Sequence, residues 1–137
     1  MLVPDIELSD LKGHEWHLRD NGAKITLVEF WDTSCGPCRE EIPLLKKLYE
    51  SIPRDRLKVL GISSDESPSQ LQNFLEEFSV PWAESMELAD GPLHRTFRVE
   101  ANPTYFLLAK NGRILDRWVG GGQAVKRIEA ALQISSR

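Results

Sequence analysis

The sequence predicts an α/β domain built on a mixed β-sheet with helices on both faces. Two nearly continuous apolar runs, 24–31 and 56–63, have the composition of buried strands, and apolar residues recur at helical spacing after each of them. A third observation is a pair of strand-like runs around Asn111-Gly112, a dipeptide suited to a two-residue hairpin turn. Helical crossovers join parallel strands and hairpins join antiparallel ones, so both kinds of pairing are expected in one sheet.

The first half of the chain begins with alternating apolar and polar residues on both sides of Leu11-Lys12-Gly13, which predicts a small N-terminal hairpin. The buried strand at 24–31 follows, and Glu29 is the one charged residue within its apolar stretch. Apolar residues then recur every three or four positions, which predicts one helix from about Cys35 to Ile52.

The second half continues with the strand at 56–63 and a helix whose start has a clear signature. Ser67 is a suitable N-cap, Pro68 suits the first helical position, and Gln70 completes a capping box. A short strand at 80–84 and a short helix after residue 92 are expected before the closing hairpin. A last helix carries its apolar residues at Val125, Ile128 and Leu132.

Composition limits the classes of function. A chain of 137 residues, of which 41% are hydrophobic, is long enough for one core, so we expect a single domain over residues 1–137. The chain has 17 basic and 21 acidic residues, and the resulting net charge of −4 argues against a nucleic-acid partner. No apolar run reaches the length of a membrane span, and the first residues lack the features of a secretory signal.

The two cysteines, Cys35 and Cys38, occur where a strand-like run gives way to a helical segment. Free N–H groups and the dipole at a helix start favour a thiolate, whose pKa can fall from about 8.5 to about 3.5–7.5. Residues three apart lie on one side of a helix, close enough for a disulfide. Gly36 leaves the first sulfur accessible, and Pro37 suits the first helical turn. The pattern predicts that Cys35 attacks a partner's disulfide and that Cys38 resolves the mixed disulfide.

Three segments of the chain resemble the thioredoxin-fold thiol:disulfide oxidoreductases, and most closely the TlpA/ResA branch of extracytoplasmic members. They are the opening VPDIELSDLKGHEWHL, the cysteine motif VEFWDTSCGPCREEIP and the later ANPTYFLLAKNGRI. The resemblance implies a thioredoxin-like fold, with a central mixed sheet flanked by helices and an N-terminal β-hairpin. It also implies that residues 57–99 carry an extra strand and helix inserted into the basic fold.

The resemblance also implies a substrate-binding set around the cysteines. Trp31 becomes a packing residue beside the site, and Pro103 becomes a cis-proline that faces the cysteine pair. The backbone before this proline pairs with the substrate chain in the family. Here the preceding residue is Asn102, where Thr or an aliphatic residue is more usual, so the substrate preference stays open.

Glu29 occupies the position at which thioredoxins have a buried aspartate. Along a strand Leu27, Glu29 and Trp31 share one face, so the carboxyl group can approach the cysteine pair from below. Burial would raise the pKa of Glu29 and make it a suitable proton acceptor for Cys38. We take this role as a hypothesis.

The activity expected from these features is reduction of protein disulfides, without a bound cofactor or a metal. The resemblance implies an upstream thiol donor, either a membrane thiol carrier or thioredoxin reductase. It favours an extracytoplasmic location over a cytoplasmic one, with an anchor or a signal missing from this chain. We expect the protein to act as a monomer.

Other interpretations of the same residues are open. Thr33 and Arg39 near Cys35 are compatible with a peroxiredoxin-like peroxidase, and the fold can serve as a binding module without turnover. The cysteines could also join His14 and His17 in a zinc site, although an alternating strand pattern points these histidines to opposite faces. The sequence further predicts a surface position for His94 and a solvated helix face made of Glu40, Glu41, Lys46 and Lys47.

Overall fold

A computed structural model describes residues 1–133 of the chain. Within this range the elements alternate in the order expected for an α/β fold, with a hairpin at each end of the strand sequence. The strands are β1 (Glu7–Ser9), β2 (Glu15–His17), β3 (Ile25–Trp31), β4 (Leu57–Ser63), β5 (Ala83–Met86), β6 (Thr104–Ala109) and β7 (Ile114–Val119). The helices are α1 (Gly36–Ser51), α2 (Pro68–Glu77), α3 (Pro92–Thr96) and α4 (Ala124–Leu132).

The central sheet has five strands in the order β5-β4-β3-β6-β7. Strands β3, β4 and β5 are parallel, whereas β6 and β7 are antiparallel additions beyond β3. The mixed pairing predicted from the crossovers and the closing hairpin is therefore present. The N-terminal hairpin of β1 and β2 forms a separate two-stranded sheet.

The helix starts follow the predicted chemistry. Cys35 is the N-cap of α1, and the Ser67 hydroxyl caps α2 by accepting a hydrogen bond from the Gln70 N–H at 3.1 Å. The predicted return bond of the capping box is wrong, because the Gln70 side chain donates instead to the Thr33 hydroxyl, which ties α2 to the loop before the cysteines. Among residues 1–133 there is no helix with both the length and the apolar character that a membrane span requires.

The central sheet separates two hydrophobic cores. One core lies under α1, α2 and α4, and we call this side of the sheet the redox face because it contains the buried Cys38. The opposite face is covered by α3 and by the N-terminal segment, residues 1–18. Aromatic side chains fill its centre. These aromatic side chains are Phe30, Phe97 and Phe106.

His94 belongs to this opposite face, so the predicted surface position is wrong. Its side chain is 3% exposed, and its ring meets the Phe30 ring edge-on with the centroids 4.9 Å apart. The His94 Nδ1 atom lies 2.7 Å from a carboxylate oxygen of Glu87. The short helix α3 was too brief to show its buried side from sequence spacing alone.

Both edges of the central sheet contact the N-terminal segment. The Leu11 N–H donates to the Glu84 carbonyl on β5, and the Ser85 hydroxyl donates to the Ser9 carbonyl. At the other edge Leu2 forms an isolated β-bridge with Arg113, just before β7. Covered edges hinder unwanted strand pairing between molecules.

Candidate active site

The two cysteines form a disulfide at the N-terminus of α1, with their Cα atoms 5.3 Å apart. Cys35 is half-buried, whereas Cys38 is 0% exposed. The Cys38 N–H points at the Cys35 sulfur at 3.3 Å, as expected for an N-cap acceptor. Gly36 and Pro37 are exposed between them, and the space beside the Gly36 Cα is open. A partner molecule can therefore reach the sulfur of Cys35 but not that of Cys38.

Glu29 is buried on β3, on the redox face of the sheet, with 2% of its surface exposed. Burial raises the pKa of Glu29 to about 8, and the negative charge of Glu41 adds to the effect. Its Oε2 atom has no hydrogen-bond partner among the described residues. Tyr105 lies opposite Glu29 on β6, but its hydroxyl group also lacks a partner of normal geometry. Glu29 thus combines burial with an available proton-accepting oxygen.

Trp31 lies two residues further along β3 and is 1% exposed. Its indole N–H donates to Glu84 Oε1 at 2.8 Å, and its ring packs against Phe74 of α2. It belongs to the same hydrophobic cluster as Cys38. With no exposed surface, Trp31 can affect substrate binding only indirectly, through the packing beneath the cysteines.

Asn102 and Pro103 are joined by a cis peptide bond just before β6. The Asn102 side chain donates to a carboxylate oxygen of Asp32 at 2.7 Å, and it thereby connects this loop to the segment that leads into Cys35. Partial burial raises the pKa of Asp32, but hydrogen bonds from Ser34 and Asn102 outweigh this effect and hold the pKa below its usual value. The Asp32 carboxylate therefore carries its charge close to the loop that leads into Cys35 at neutral pH.

Glu41 is a buried member of the site that the sequence analysis placed on a solvated helix face, and that prediction is wrong. Its side chain is 2% exposed and accepts hydrogen bonds from the backbone N–H groups of Gly122 and Ala124, at 2.9 and 3.0 Å. It thus caps the start of α4 from within α1. A signal existed, because Cys38 and Glu41 continue at helical spacing into the buried residues Ile42 and Leu45.

Glu84 on β5 is a second buried acid that sequence analysis missed. Its carboxylate accepts hydrogen bonds from the indole N–H groups of Trp31 and Trp82, at 2.8 and 2.9 Å. The carboxylate lies directly over Gly61, where an added Cβ would stand 2.2 Å from Glu84 Oε2. Sequence spacing gave little indication of these contacts, since Trp31 lies on β3, Gly61 on β4, and Trp82 just before β5.

The glycine loop, residues 120–122, forms one wall beside the cysteine motif. The Gly120 N–H donates to the Pro103 carbonyl at 2.9 Å, and a Cβ on Gly121 would stand 3.1 Å from the Pro37 carbonyl oxygen. Gly120 and Gly122 have φ values of 98° and 90°, a region that favours glycine. This loop therefore brings the cis-proline and the cysteine motif together.

The residues named for a peroxidase or a zinc site make other contacts in the structure. The Thr33 hydroxyl donates to Asp65 at 2.7 Å, and the Arg39 guanidinium stacks on the Phe74 and Phe78 rings. The cysteines are paired with each other. Of the two histidines proposed as zinc ligands, His17 lies in an exposed cluster of metal-ligating side chains. The other members of that cluster are Glu7 and Glu15, on the N-terminal hairpin.

A disulfide at the start of the helix that follows β3, beside a cis-proline loop, defines a class of protein: the thioredoxin-fold thiol:disulfide oxidoreductases. The family comparison agrees with this class. The model of the AhpC/TSA family matches residues 2–117, and the chain belongs to this family.

Two relatives show which members of this class the chain is similar to. The chain is 33% identical to the thiol-disulfide oxidoreductase ResA of Geobacillus kaustophilus over 112 residues, which cover 82% of this chain and 64% of that relative. It is 26% identical to ResA of Bacillus thuringiensis subsp. konkukian over 131 residues, or 96% of this chain and 75% of the relative. The chain thus spans about two thirds to three quarters of the length of these relatives.

Among solved structures, the thioredoxin domain of a thiol-disulfide oxidoreductase from Bacteroides vulgatus superposes with a TM-score of 0.81. The two sequences are 26% identical, and the match covers 95% of this chain and 94% of that domain. The predicted thioredoxin-like fold and the predicted TlpA/ResA-like resemblance are both confirmed.

Proposed function

We propose that the chain reduces protein disulfides by thiol–disulfide exchange, with Cys35 as the nucleophile and Cys38 as the resolving cysteine. The observation that carries this proposal is the asymmetry of the pair. One sulfur is accessible at a helix N-terminus, and the other is fully buried one turn further along. An accessible thiolate favours attack on a partner, whereas a buried thiol favours the intramolecular step.

The first step begins from the reduced pair. The Cys35 thiolate attacks one sulfur of the substrate disulfide, and a new S–S bond joins Cys35 to the substrate. The other substrate sulfur leaves as a thiolate and takes a proton from solvent. The N–H groups at the start of α1 stabilise the Cys35 thiolate before the attack.

The second step needs a proton acceptor for the buried Cys38 thiol. Glu29 as carboxylate takes this proton, and the Cys38 thiolate attacks Cys35. The Cys35–Cys38 bond forms, the bond from Cys35 to the substrate breaks, and the second substrate sulfur leaves as a thiolate. A group with a pKa of about 8 is well matched to this task near neutral pH.

Substrate binding in this proposal uses the surface around Cys35. Gly36 and Pro37 present an open backbone there, and the backbone at Asn102 and Pro103, just before β6, pairs with the substrate chain. The hydrogen bond from Asn102 to Asp32 supports this arrangement, since it holds the pairing residue beside the loop that leads into Cys35.

An upstream thiol donor must return the Cys35–Cys38 disulfide to the dithiol after each turnover. We propose a membrane thiol carrier for this role, with an extracytoplasmic location, on the strength of the TlpA/ResA-like resemblance. A thioredoxin reductase would take the same role in the cytoplasm. A monomeric state and a single domain over residues 1–137 also stay proposals.

The reduction potential tests the direction of transfer. The purified chain is equilibrated in dithiothreitol or glutathione buffers, and the fraction of oxidised pair is read by thiol trapping. A potential near or below about −250 mV is expected for a reductase. A potential above about −180 mV would instead indicate an oxidase or isomerase.

The roles of the two cysteines are tested by trapping. Cys38→Ser should accumulate a mixed disulfide between Cys35 and a protein substrate such as insulin, because the resolving thiol is missing. Cys35→Ser should form no such adduct, because the buried Cys38 sulfur cannot reach a partner. Equal trapping by the two variants would contradict the assignment.

A further inference from the structure

The second buried acid, Glu84, has no role in the exchange reaction described so far, although its surroundings are built for a carboxyl group. Two indole N–H groups, from Trp31 and Trp82, each donate to one of its oxygens. The absence of a side chain at Gly61 makes the space that the carboxyl group fills. A buried charge usually requires such provision of partners.

The position over Gly61 brings Glu84 beside Glu29. In the sheet Glu29 pairs with Gly61, and Gly61 pairs with Glu84, so all three residues lie in one row across β3, β4 and β5. Since the Glu84 carboxylate occupies the place of a Gly61 Cβ, it lies about one strand spacing, ~5 Å, from the Glu29 Cβ. The two carboxyl groups therefore share one buried compartment of the redox face.

Two buried carboxyl groups on neighbouring positions of one sheet row cannot both ionise readily. Burial raises the pKa of Glu84 well above its ordinary value, and a charge on either carboxyl group opposes ionisation of the other. Hydrogen bonds favour the single charge on Glu84, which accepts two indole N–H groups, whereas only the Tyr105 hydroxyl lowers the pKa of Glu29 and Glu29 Oε2 accepts no hydrogen bond. A negative charge is thus better stabilised on Glu84.

We propose that Glu84 is a positioning residue of the exchange reaction, which fixes the Trp31 indole beneath the cysteines and holds the charge that keeps Glu29 protonated until higher pH. This inference rests on the proposed role of Glu29 as the proton acceptor of Cys38. Glu84 also lines a cavity between α2, the segment before β5 and the loop of the N-terminal hairpin. Other ionisable groups border this cavity or the buried compartment. They are Glu41 and Tyr49 of α1, Asp65 after β4, Tyr105 of β6, Glu76 of α2, and Asp10, Lys12 and His14 of the hairpin loop.

The direct test is a titration of Glu29 by carboxyl ¹³C NMR in the whole chain, with and without the Glu84 charge. Glu84→Gln keeps the size of the side chain but removes the charge, so the midpoint of Glu29 should move to lower pH by more than about half a unit. Glu84→Met, of similar length, should move it in the same direction if the Gln variant does not fold. An unchanged midpoint would overturn the proposal.

The kinetic test uses insulin reduction from pH 5.5 to 9.5. Glu84→Gln should move the rate profile to lower pH, and the same substitution in a Glu29→Gln background should leave the profile in place. Glu87→Gln, which removes a partly buried carboxylate that caps α3 and contacts His94, is the matched control and should not move the profile. A uniform rate loss in Glu84→Gln at every pH would mean a structural role only.

The two tests separate this inference from the proposed function. If the wild-type chain reduced no disulfide at all, the proposed function would fail, while the NMR titration would still report the coupling of the two carboxyl groups. If insulin were reduced but Glu29 titrated alike in wild type and Glu84→Gln, only the role of Glu84 would be wrong.

Discussion

The two faces of the central sheet differ in what they bury. The redox face holds Cys38 together with the buried acids Glu29, Glu41 and Glu84. Glu41 and Glu84 each accept two hydrogen bonds, whereas Glu29 Oε2 accepts none. The opposite face is packed with aliphatic and aromatic side chains around Phe30. Both faces bury apolar side chains, but the redox face also buries three carboxyl groups, and burial of such groups opposes folding unless hydrogen bonds compensate. Substitutions on the two faces should therefore change different properties.

The sharpest separation should come from Cys35→Ala and Phe97→Ala. Cys35→Ala should lower the rate of insulin reduction by more than about 10³-fold, because no other sulfur is accessible. Phe97→Ala removes a buried ring from the opposite face and should lower the free energy of unfolding by about 3–5 kcal/mol. Urea denaturation measures the free energy of unfolding, and the rate of insulin reduction per folded molecule measures the exchange activity. Loss of exchange in folded Phe97→Ala would break the comparison.

Glu29→Gln should change the pH dependence of stability. Because the pKa of Glu29 is about 8 in the folded chain and near 4.5 when unfolded, its stabilising contribution is complete below pH 4.5 and is lost as pH rises through 8. Over that window it lowers the free energy of unfolding by roughly 1.4 kcal/mol per pH unit. The variant should therefore gain stability relative to wild type as pH rises.

Urea denaturation at several pH values measures this slope. The matched control is Glu40→Gln, since Glu40 is exposed on the same helix as the redox motif. The control should retain the wild-type slope. A parallel response of Glu29→Gln and Glu40→Gln would show that Glu29 ionises normally despite its burial.

Glu41→Gln should lower the free energy of unfolding by less than Phe97→Ala does, because it weakens only the cap that joins α1 to α4. The amide has one accepting oxygen, so either the Gly122 or the Ala124 N–H loses its acceptor, at a cost of about 1–3 kcal/mol. Hydrogen exchange at these two amides should become faster, while the amides around Phe30 keep their protection. Unchanged exchange at Gly122 and Ala124 would contradict the capping role.

The smallest expected change is that of Asn102→Ala, which removes the hydrogen bond to Asp32 at a partly exposed site. The free energy of unfolding should fall by about 1 kcal/mol or less. The pKa of Asp32 should rise, since one of the groups that holds it down is lost. NMR titration of Asp32 is the measurement, and Asn111→Ala in the distant hairpin is the control. A constant Asp32 midpoint would mean that the other donors, Ser34 and the Cys35 N–H, hold the pKa down without Asn102.

Local patterns were enough to predict most of the fold. Strand composition, the Ser67 cap and the hairpin at Asn111-Gly112 depend on residues close together in the chain, and the corresponding elements are all present. The cysteine pair at the start of α1 was predictable for the same reason.

The rest of the site depends on contacts between distant segments. Glu41 meets residues more than 80 positions away, and Trp31 is separated by 53 positions from Glu84. No local spacing encodes which buried acid meets which donor. The same limit explains His94, whose burial follows from the packing of a five-residue helix against Phe30.

The N-terminal segment contacts the two edges of the central sheet, at β5 through Leu11 and before β7 through Leu2. One short segment of the chain thus covers both edges of the central sheet. Proteolytic removal of that piece would expose unpaired N–H and C=O groups at two places in a single event. The resulting species would have two unpaired sheet edges. Pairing through both edges produces open-ended oligomers, whereas a single exposed edge allows pairing only into dimers.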